Sequence, residues 1–187
     1  MPQTEFTIRR KVLTILGAKF HLYNASGELF GFCKQKAFKL KEDIRIYTDE
    51  TMDEERLSIM ARSIIDFGAA YDVVDSASGE KVGALRRKGM ASIIRDEWSV
   101  LDENDLEIGL IREDSAWLAV VRRYVFNIIP QTFHLVDNDG YQLAEFRTHF
   151  NPFIHRLTVT IDEECQLHSY LVLAAGVLLV AIEGRQE

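Results

Sequence analysis

The 187-residue chain has only two cysteines, Cys33 and Cys165, and their spacing matches neither a zinc site nor a CxxC motif. Cys33 lies in an apolar, strand-like pattern and Cys165 shortly precedes an apolar run, so we expect two reduced, buried thiols. Reduced thiols are typical of an intracellular compartment. Residues 1–11 lack the apolar core of a signal peptide. Together these absences predict a cytoplasmic protein.

The chain also lacks an excess of basic residues, since its formal net charge is −7. Proteins that bind nucleic acids draw affinity from Lys and Arg side chains that neutralise phosphates. We therefore expect no nucleic-acid partner. Much of the acidity lies in Glu42–Glu55, which leaves room for a local basic surface elsewhere on the protein.

No apolar run reaches the roughly 20 residues that span a bilayer. The run that comes nearest is Tyr170–Ile182, YLVLAAGVLLVAI, which is flanked by polar residues. A run of this length that is apolar on all sides is typical of a buried core helix, whereas its length disfavours a membrane anchor. The sequence thus predicts a C-terminal core helix and no transmembrane segment.

Catalytic motifs are absent as well: the sequence contains no GxSxG, P-loop, HExxH or GxGxxG pattern. We therefore predict that the protein is not an enzyme and needs no cofactor or metal. His21 and His134 occupy equivalent positions of the repeat described next, which makes them structural counterparts rather than a metal pair. The segment Asp137–Gly140 begins like a calcium loop but lacks the downstream bidentate Glu, so a hairpin turn explains it.

What is present is an internal repeat. Four segments share one pattern: Lys19–Lys34, Ala70–Arg86, Glu97–Arg112 and Thr132–Arg147. In each segment the second residue is aromatic, the fourth is aliphatic and the sixth is Asn or Asp, which places these side chains on one face of a strand. Turn-forming residues follow, although the third segment has no Gly in its turn. Each segment is therefore predicted to form a β-hairpin.

The return strand of each hairpin has a small residue and a basic residue at fixed positions. The small residues are Gly31, Gly83, Gly109 and Ala144, and the basic residues are Lys34, Arg86, Arg112 and Arg147. The alternation puts the small residues on the apolar face and the basic residues on the other. Glycine inside a strand often marks a close approach. We expect the C-terminal helix, which carries Ala174, Ala175 and Gly176, to pack against the small residues.

Other β-like segments raise the count to twelve strands, from Phe6–Val12 to Arg156–Asp162. Arg56–Asp66 is interpreted as a strand with a short helix as the alternative. A helix is predicted from Asp114 or Ser115 to Phe126, and the C-terminal helix near Glu164 onward. A long meander of strands removes its exposed edges by closing into a barrel. The interior of a barrel of this size is too wide for its own side chains and must be filled by another element. Residues 1–187 are therefore predicted to form one closed twelve-stranded antiparallel β-barrel around a buried hydrophobic C-terminal helix.

Three segments, Phe6–Glu50, Tyr71–Lys88 and Leu157–Ile182, resemble the LURP-one-related proteins of the tubby C-terminal-like superfamily, which also includes phospholipid scramblases. The resemblance covers nearly the whole chain. It implies a twelve-stranded barrel around a hydrophobic C-terminal helix, in agreement with the strand count. It also implies a binding role, because some members bind phosphoinositides or have been linked to lipid movement.

The resemblance to scramblases implies calcium binding through an acidic stretch before the final helix. Here that stretch contains Asp162, Glu163 and Glu164, but His149–His155 contains no carboxylate. The Pro-rich and Cys-rich N-terminal extension of scramblases is absent too. We therefore predict no metal site by this route.

The basic residues form the one functional surface that the sequence proposes. The candidates are Lys34, Lys36, Lys39, Lys41, Arg86, Arg87 and Lys88. They are interpreted either as an ordinary solvated surface or as a site for anionic lipid headgroups such as phosphoinositides. The predicted function is thus a non-catalytic binding or scaffold module for anionic membrane lipid or a protein partner, peripheral to the membrane in the first case. The alternatives are a barrel that carries a small apolar ligand and scramblase-like lipid movement.

Overall fold

The computed structural model describes residues 5–11, 18–35, 43–63, 70–88, 97–113, 131–149, 151 and 154–182. These residues form twelve β-strands and one α-helix. The strands are β1 (Glu5–Lys11), β2 (Ala18–Asn24), β3 (Leu29–Gln35), β4 (Asp43–Tyr47), β5 (Glu55–Ala61), β6 (Ala70–Asp75), β7 (Lys81–Arg87), β8 (Glu97–Leu101), β9 (Glu107–Glu113), β10 (Thr132–Val136), β11 (Gln142–His149) and β12 (Ile154–Ile161). The helix, α1, is Ser169–Ile182.

The twelve strands form a closed antiparallel barrel. Each strand pairs with its neighbours in the chain, and β1 pairs with β12 to complete the ring. Alternation of side chains explains the core: in β4, for example, Ile44 and Ile46 are buried whereas Arg45 between them is exposed. The predicted barrel is confirmed.

The segment Arg56–Asp66 shows which of two interpretations is right, because β5 covers Glu55–Ala61 and pairs with both β4 and β6. The alternative of a short helix there is wrong for the described residues. The helix predicted from Asp114 or Ser115 to Phe126 lies outside the described residues.

Helix α1 occupies the lumen of the barrel. Every residue from Leu171 to Ala181 is buried, so no side of the helix faces solvent. The helix packs against β12 and β1 and also against β7 and β6. These two pairs of strands lie on opposite sides of the ring. A helix that is apolar all round and touches opposite walls fills the interior that twelve strands leave open.

The helix begins at Ser169, later than the predicted start near Glu164. The intervening residues form a turn, in which the Glu164 backbone N–H donates to the Asp162 carboxylate at 2.9 Å. Nδ1 of the His168 imidazole accepts a hydrogen bond from the backbone N–H of Tyr170 at 3.2 Å and so caps the first turn of the helix. The prediction placed the start too early because the apolar pattern does not reveal this histidine cap.

Each repeated hairpin contains a β-bulge beside its small residue. In the first hairpin Leu22 pairs with Gly31 but Tyr23 pairs with Leu29, which leaves Phe30 unpaired in the ladder. Equivalent register shifts follow Val73, Val100 and Leu135. A bulge increases the local twist of a strand, which helps a sheet to close. The repeat in the sequence is therefore the repeat of one bulged hairpin.

The small residues permit close packing, but their neighbours differ. A Cβ atom at Gly83 would lie 2.9 Å from Leu171 Cδ2 of the helix, which confirms the predicted contact at this position. At Gly31 and Gly109 the nearest atoms belong to the adjacent strands β4 and β10. There the expectation of a helix contact is wrong, because α1 packs against the walls formed by β12–β1 and β6–β7.

Candidate functional site

The hairpin turns carry much of the negative charge. Five turns and the approach to α1 lie at residues 25–28, 48–54, 76–80, 102–106, 137–141 and 162–168. Each of these segments contains Asp or Glu, and none contains Lys or Arg. The net charge of −7 is therefore concentrated in loops. The strands can present a basic surface although the chain as a whole is acidic.

The basic residues of the repeat face solvent, as the alternation predicts. Lys34, Arg86, Arg112 and Arg147 are exposed near the ends of β3, β7, β9 and β11. The matching small residues are buried. These four side chains therefore lie on the outer wall of the barrel.

The structure separates the two groups of candidate binding residues. Lys34 lies on β3, whereas Arg86 and Arg87 end β7, with β4, β5 and β6 between them. Lys36, Lys39 and Lys41 lie outside the described residues. The described candidates thus do not form one patch, and their role in binding stays a prediction.

The candidates on and beside β7 have an acidic neighbour. Arg86 Nη2 lies 3.7 Å from Glu107 Oε2, and Lys88 Nζ lies 3.4 Å from Glu107 Oε1. The Ser99 hydroxyl, together with Lys88 and Arg86, lowers the pKa of Glu107. Glu107 is therefore ionised at neutral pH and offsets the charge of both bases. Arg87, between them in sequence, is half-buried.

A second group of bases on this side of the barrel is also paired. Arg62 donates to the Asp72 carboxylate, with Nη2–Oδ1 at 2.6 Å, and also bonds to Asp105. Lys81 Nζ lies 2.6 Å from Asp105 Oδ1. Hydrogen bonds from Arg62 and Lys81 lower the pKa of Asp105 to about 2. On the outer wall around β5–β9, Arg62, Lys81, Arg86 and Lys88 thus all have acidic partners.

A different sector of the wall is basic without such pairs. Five exposed bases lie on five adjacent strands: Lys34 on β3, Lys19 on β2, Arg9 on β1, Arg156 on β12 and Arg147 on β11. We call these five residues the basic wall. Within the described part of the chain, none of them forms an ion pair, whereas Arg45, Arg62, Lys81, Arg86 and Lys88 all do. The sector therefore carries five bases outside ion pairs, and Glu5 and Glu145 are acidic residues on two of the same strands.

Sequence reasoning did not single out Arg156 or Lys19. Arg156 lies directly opposite Arg9 in the β1–β12 ladder, and Lys19 lies opposite Lys34 in the β2–β3 ladder. The signal for Arg156 is the closure of the barrel, which pairs the first strand with the last. The signal for Lys19 is its position across the first hairpin from the repeat's basic residue.

The two cysteines offer little reactivity. Cys33 is buried on the inner face of β3, and burial raises the pKa of its thiol to about 12. Cys165 is half-buried before α1, and burial raises its pKa as well. The thiolate is the reactive form. The expectation of a buried thiol is confirmed for Cys33, whereas Cys165 is only partly covered.

Two further features bear on the function. Among the residues that the structure describes, no three His, Cys, Asp or Glu side chains are grouped so that they could hold a metal ion. Across the same residues, no helix is long and apolar enough to cross a membrane.

Comparison with known proteins identifies one family. The family described as LURP-one-related matches residues 29–165, which cover most of the barrel. No curated protein and no solved structure matches the chain.

Proposed function

The chain belongs to the LURP-one-related family of the tubby C-terminal-like superfamily, and from this premise we propose that it is a binding module for the headgroups of anionic phospholipids. The barrel fold of the family is consistent with a non-catalytic binding module. Lipid contact would occur at the cytoplasmic face of a membrane, to which the protein would be peripheral. We further propose that residues 1–187 act as one domain, because β1 and β12 close the barrel together.

The observation that carries this proposal is the basic wall. Its five residues extend over four strand spacings, which is about 19 Å of sheet. Lys or Arg near an anionic leaflet contributes about 1 kcal/mol per residue, and this attraction fades within roughly 8 Å in physiological salt. Four of the twelve spacings are a third of the closed ring, so the basic wall is convex. Bases on neighbouring strands approach a surface together, and their contributions combine. Bases that are already paired with Asp or Glu contribute less attraction to an anionic leaflet.

The candidate residues differ in what they contribute to this proposal. Lys34 belongs to the basic wall, and Lys36, Lys39 and Lys41 follow it in the chain, so we propose them as further contacts. Arg86, Arg87 and Lys88 would form a second and weaker contact, since Glu107 offsets the charge of Arg86 and Lys88. We do not extend the proposal to an apolar ligand in the lumen, because α1 occupies that space.

Vesicle flotation tests the proposal. The full chain is mixed with phosphatidylcholine vesicles, alone or with phosphatidylserine or a phosphoinositide, at low and at physiological salt. We expect the protein to float with anionic vesicles only, and less at higher salt. The Lys19→Gln/Lys34→Gln variant should bind about 25-fold more weakly, because each lysine near the surface is worth about fivefold.

The Arg86→Gln/Lys88→Gln variant is the matched control, since it removes the same charge from bases that Glu107 already offsets. It should lose less binding than the basic-wall variant. Absence of wild-type binding to anionic vesicles at low salt overturns the proposed function. Equal losses in both variants overturn the assignment to the basic wall.

A further inference from the structure

Three outward-facing residues form a continuous basic row across β1, β12 and β11. Arg9 pairs directly with Arg156, and Arg156 pairs directly with His149. Residues directly opposite in an antiparallel ladder have Cβ atoms about 5 Å apart, and like charges there are destabilising. Two arginines placed opposite one another thus repel unless an anion lies between them.

The acidic residues of the same three strands are kept apart from this row. Glu5 and Glu145 both pair with Thr160, so they flank one threonine of β12. Thr160 is four residues from Arg156, which is about 13 Å along the strand. That distance exceeds the Debye length of about 8 Å in physiological salt. Arg9 and Arg156 therefore have no carboxylate opposite or beside them on these three strands, whereas Glu5 still acts on the pKa of His149 and Glu145 lies two residues from Arg147.

A middle row of residues lies between the basic row and the row that contains Glu5, Thr160 and Glu145. Thr7 pairs with Thr158, and Thr158 pairs with Arg147, so a third arginine lies diagonally next to Arg156. The hydroxyl of Thr158 lies 2.9 Å from His149 Nε2. The middle row thus supplies a further cation and hydroxyl groups beside the basic row.

One aromatic contact orients Arg9. The guanidinium of Arg9 lies over the Tyr23 ring, 4.8 Å from its centroid. A cation stacked on a ring keeps its N–H groups in the plane of the guanidinium, where they can donate to an acceptor. Arg9 is therefore oriented without a carboxylate.

We propose that Arg9, Arg147, Arg156 and His149 form a binding site for a phosphate monoester dianion. A dianion between the arginines accepts hydrogen bonds from their N–H groups and removes the cross-strand repulsion. The site deepens the proposed function and rests on it, since a phosphorylated lipid headgroup is one source of such a group. A soluble phosphate monoester is the other source.

His149 supplies a direct readout of occupancy. Partial burial, together with Arg156 and Arg147, lowers the pKa of its imidazole, and Glu5 opposes this effect. An anion bound among these cations would cancel their influence. The pKa of His149 should therefore rise when the site is filled.

The test uses soluble inositol trisphosphate and the full chain. Calorimetry measures the dissociation constant for the wild type, for Arg9→Gln/Arg156→Gln and for the control Arg62→Gln/Lys81→Gln, whose two bases pair with Asp72 and Asp105 and belong to neither proposed contact. Each arginine removed from the site should weaken binding at least tenfold, which corresponds to about 1.4 kcal/mol, and the control should leave it nearly unchanged. NMR titration of the imidazoles, with His149→Gln to assign the signal, should show an upward shift of the His149 pKa at saturation.

The outcomes separate this inference from the proposed function. Equal weakening in both double variants, or a His149 pKa that does not move at saturation, overturns the site. If wild-type vesicle binding persists in Arg9→Gln/Arg156→Gln, the site is wrong and the membrane function stands. If inositol trisphosphate binds through the two arginines but phosphoinositide vesicles do not bind, the site stands with a soluble ligand and the membrane function is wrong.

Discussion

Arg10 of the first strand donates a hydrogen bond from Nη1 to the backbone carbonyl of Val180 in the last turn of α1, at 3.1 Å. The last carbonyls of a helix have no partner within the helix and carry its negative dipole end. Arg10 lies at an inward position two residues after buried Ile8, and its guanidinium also lies over the Phe20 ring. Arg10 of β1 thus links the C-terminal end of α1 to the wall of the barrel.

Replacing Arg10 by Met should destabilise the protein by about 1.5–3 kcal/mol, the usual worth of a hydrogen bond to a charged group. The Val180 carbonyl would lose its donor while the aliphatic volume is retained. Chemical denaturation measures the free energy of unfolding. Arg9→Met is the control, because Arg9 faces outward and makes no such bond to the helix. Equal stability of Arg10→Met and wild type would contradict a role for this contact.

Gly83 should not tolerate a side chain. Its φ of +151° is unfavourable for other residues, and a Cβ atom would lie 2.5 Å from the Leu101 carbonyl oxygen. Strain and overpacking together predict a loss of about 3 kcal/mol for Gly83→Ala. Gly79→Ala is the control: its φ is also positive, at +72°, but no atom lies within 4 Å. That variant should lose only about 1 kcal/mol, and equal losses by denaturation would contradict the close contact.

The fold was predictable because its information is local and repeated. Alternating residues and turn signals define each hairpin, and the length of Tyr170–Ile182 predicts a core helix. The partners of Gly31 and Gly109 were not predictable, since they depend on which wall the helix touches. The cap by His168 was missed because histidine is a rare signal for a helix start.

The candidate site was predictable only in part. Alternation correctly places Lys34 and Arg86 on the outer face, but their separation depends on their positions around the closed ring. The pairing of Arg9 with Arg156 joins opposite ends of the chain, so no local pattern contains it. The partner of Arg86 and Lys88, Glu107, comes from a strand that is not adjacent to β7.

Acid should destabilise the barrel partly through Asp105. Hydrogen bonds from Arg62 and Lys81 lower its folded pKa to about 2, from an ordinary value of 3.8. A carboxylate with a lowered pKa stabilises the folded state fully above its unfolded pKa, and this stabilisation disappears as pH falls through the folded pKa. The stability advantage of wild type over Asp105→Asn should therefore shrink between about pH 4 and pH 2.

Asparagine also tolerates the positive φ of 67° at this position, so Asp105→Asn changes the charge without straining the turn. Denaturation at several pH values measures the difference. Asp139→Asn is the control, because Asp139 is an exposed carboxylate in another turn with no ion pair among the described residues, and this variant should be about as stable as wild type. A wild-type advantage that is constant from pH 7 to pH 2 would contradict the role of Asp105.

Reversing the charge of Arg156 in the basic row should abolish phosphate binding and raise the stability of the fold. In Arg156→Glu the new carboxylate lies opposite Arg9, so cross-strand attraction replaces repulsion and should raise the free energy of unfolding by about 0.2–1 kcal/mol. The same change removes the proposed dianion site, and inositol trisphosphate binding should disappear. Thr160→Glu on the same strand is the matched control: it faces Glu5 and Glu145, so it should destabilise by a similar amount. If Arg156→Glu is less stable than wild type at low salt, the two arginines do not repel in the folded protein, and the reason to expect an anion between them is lost.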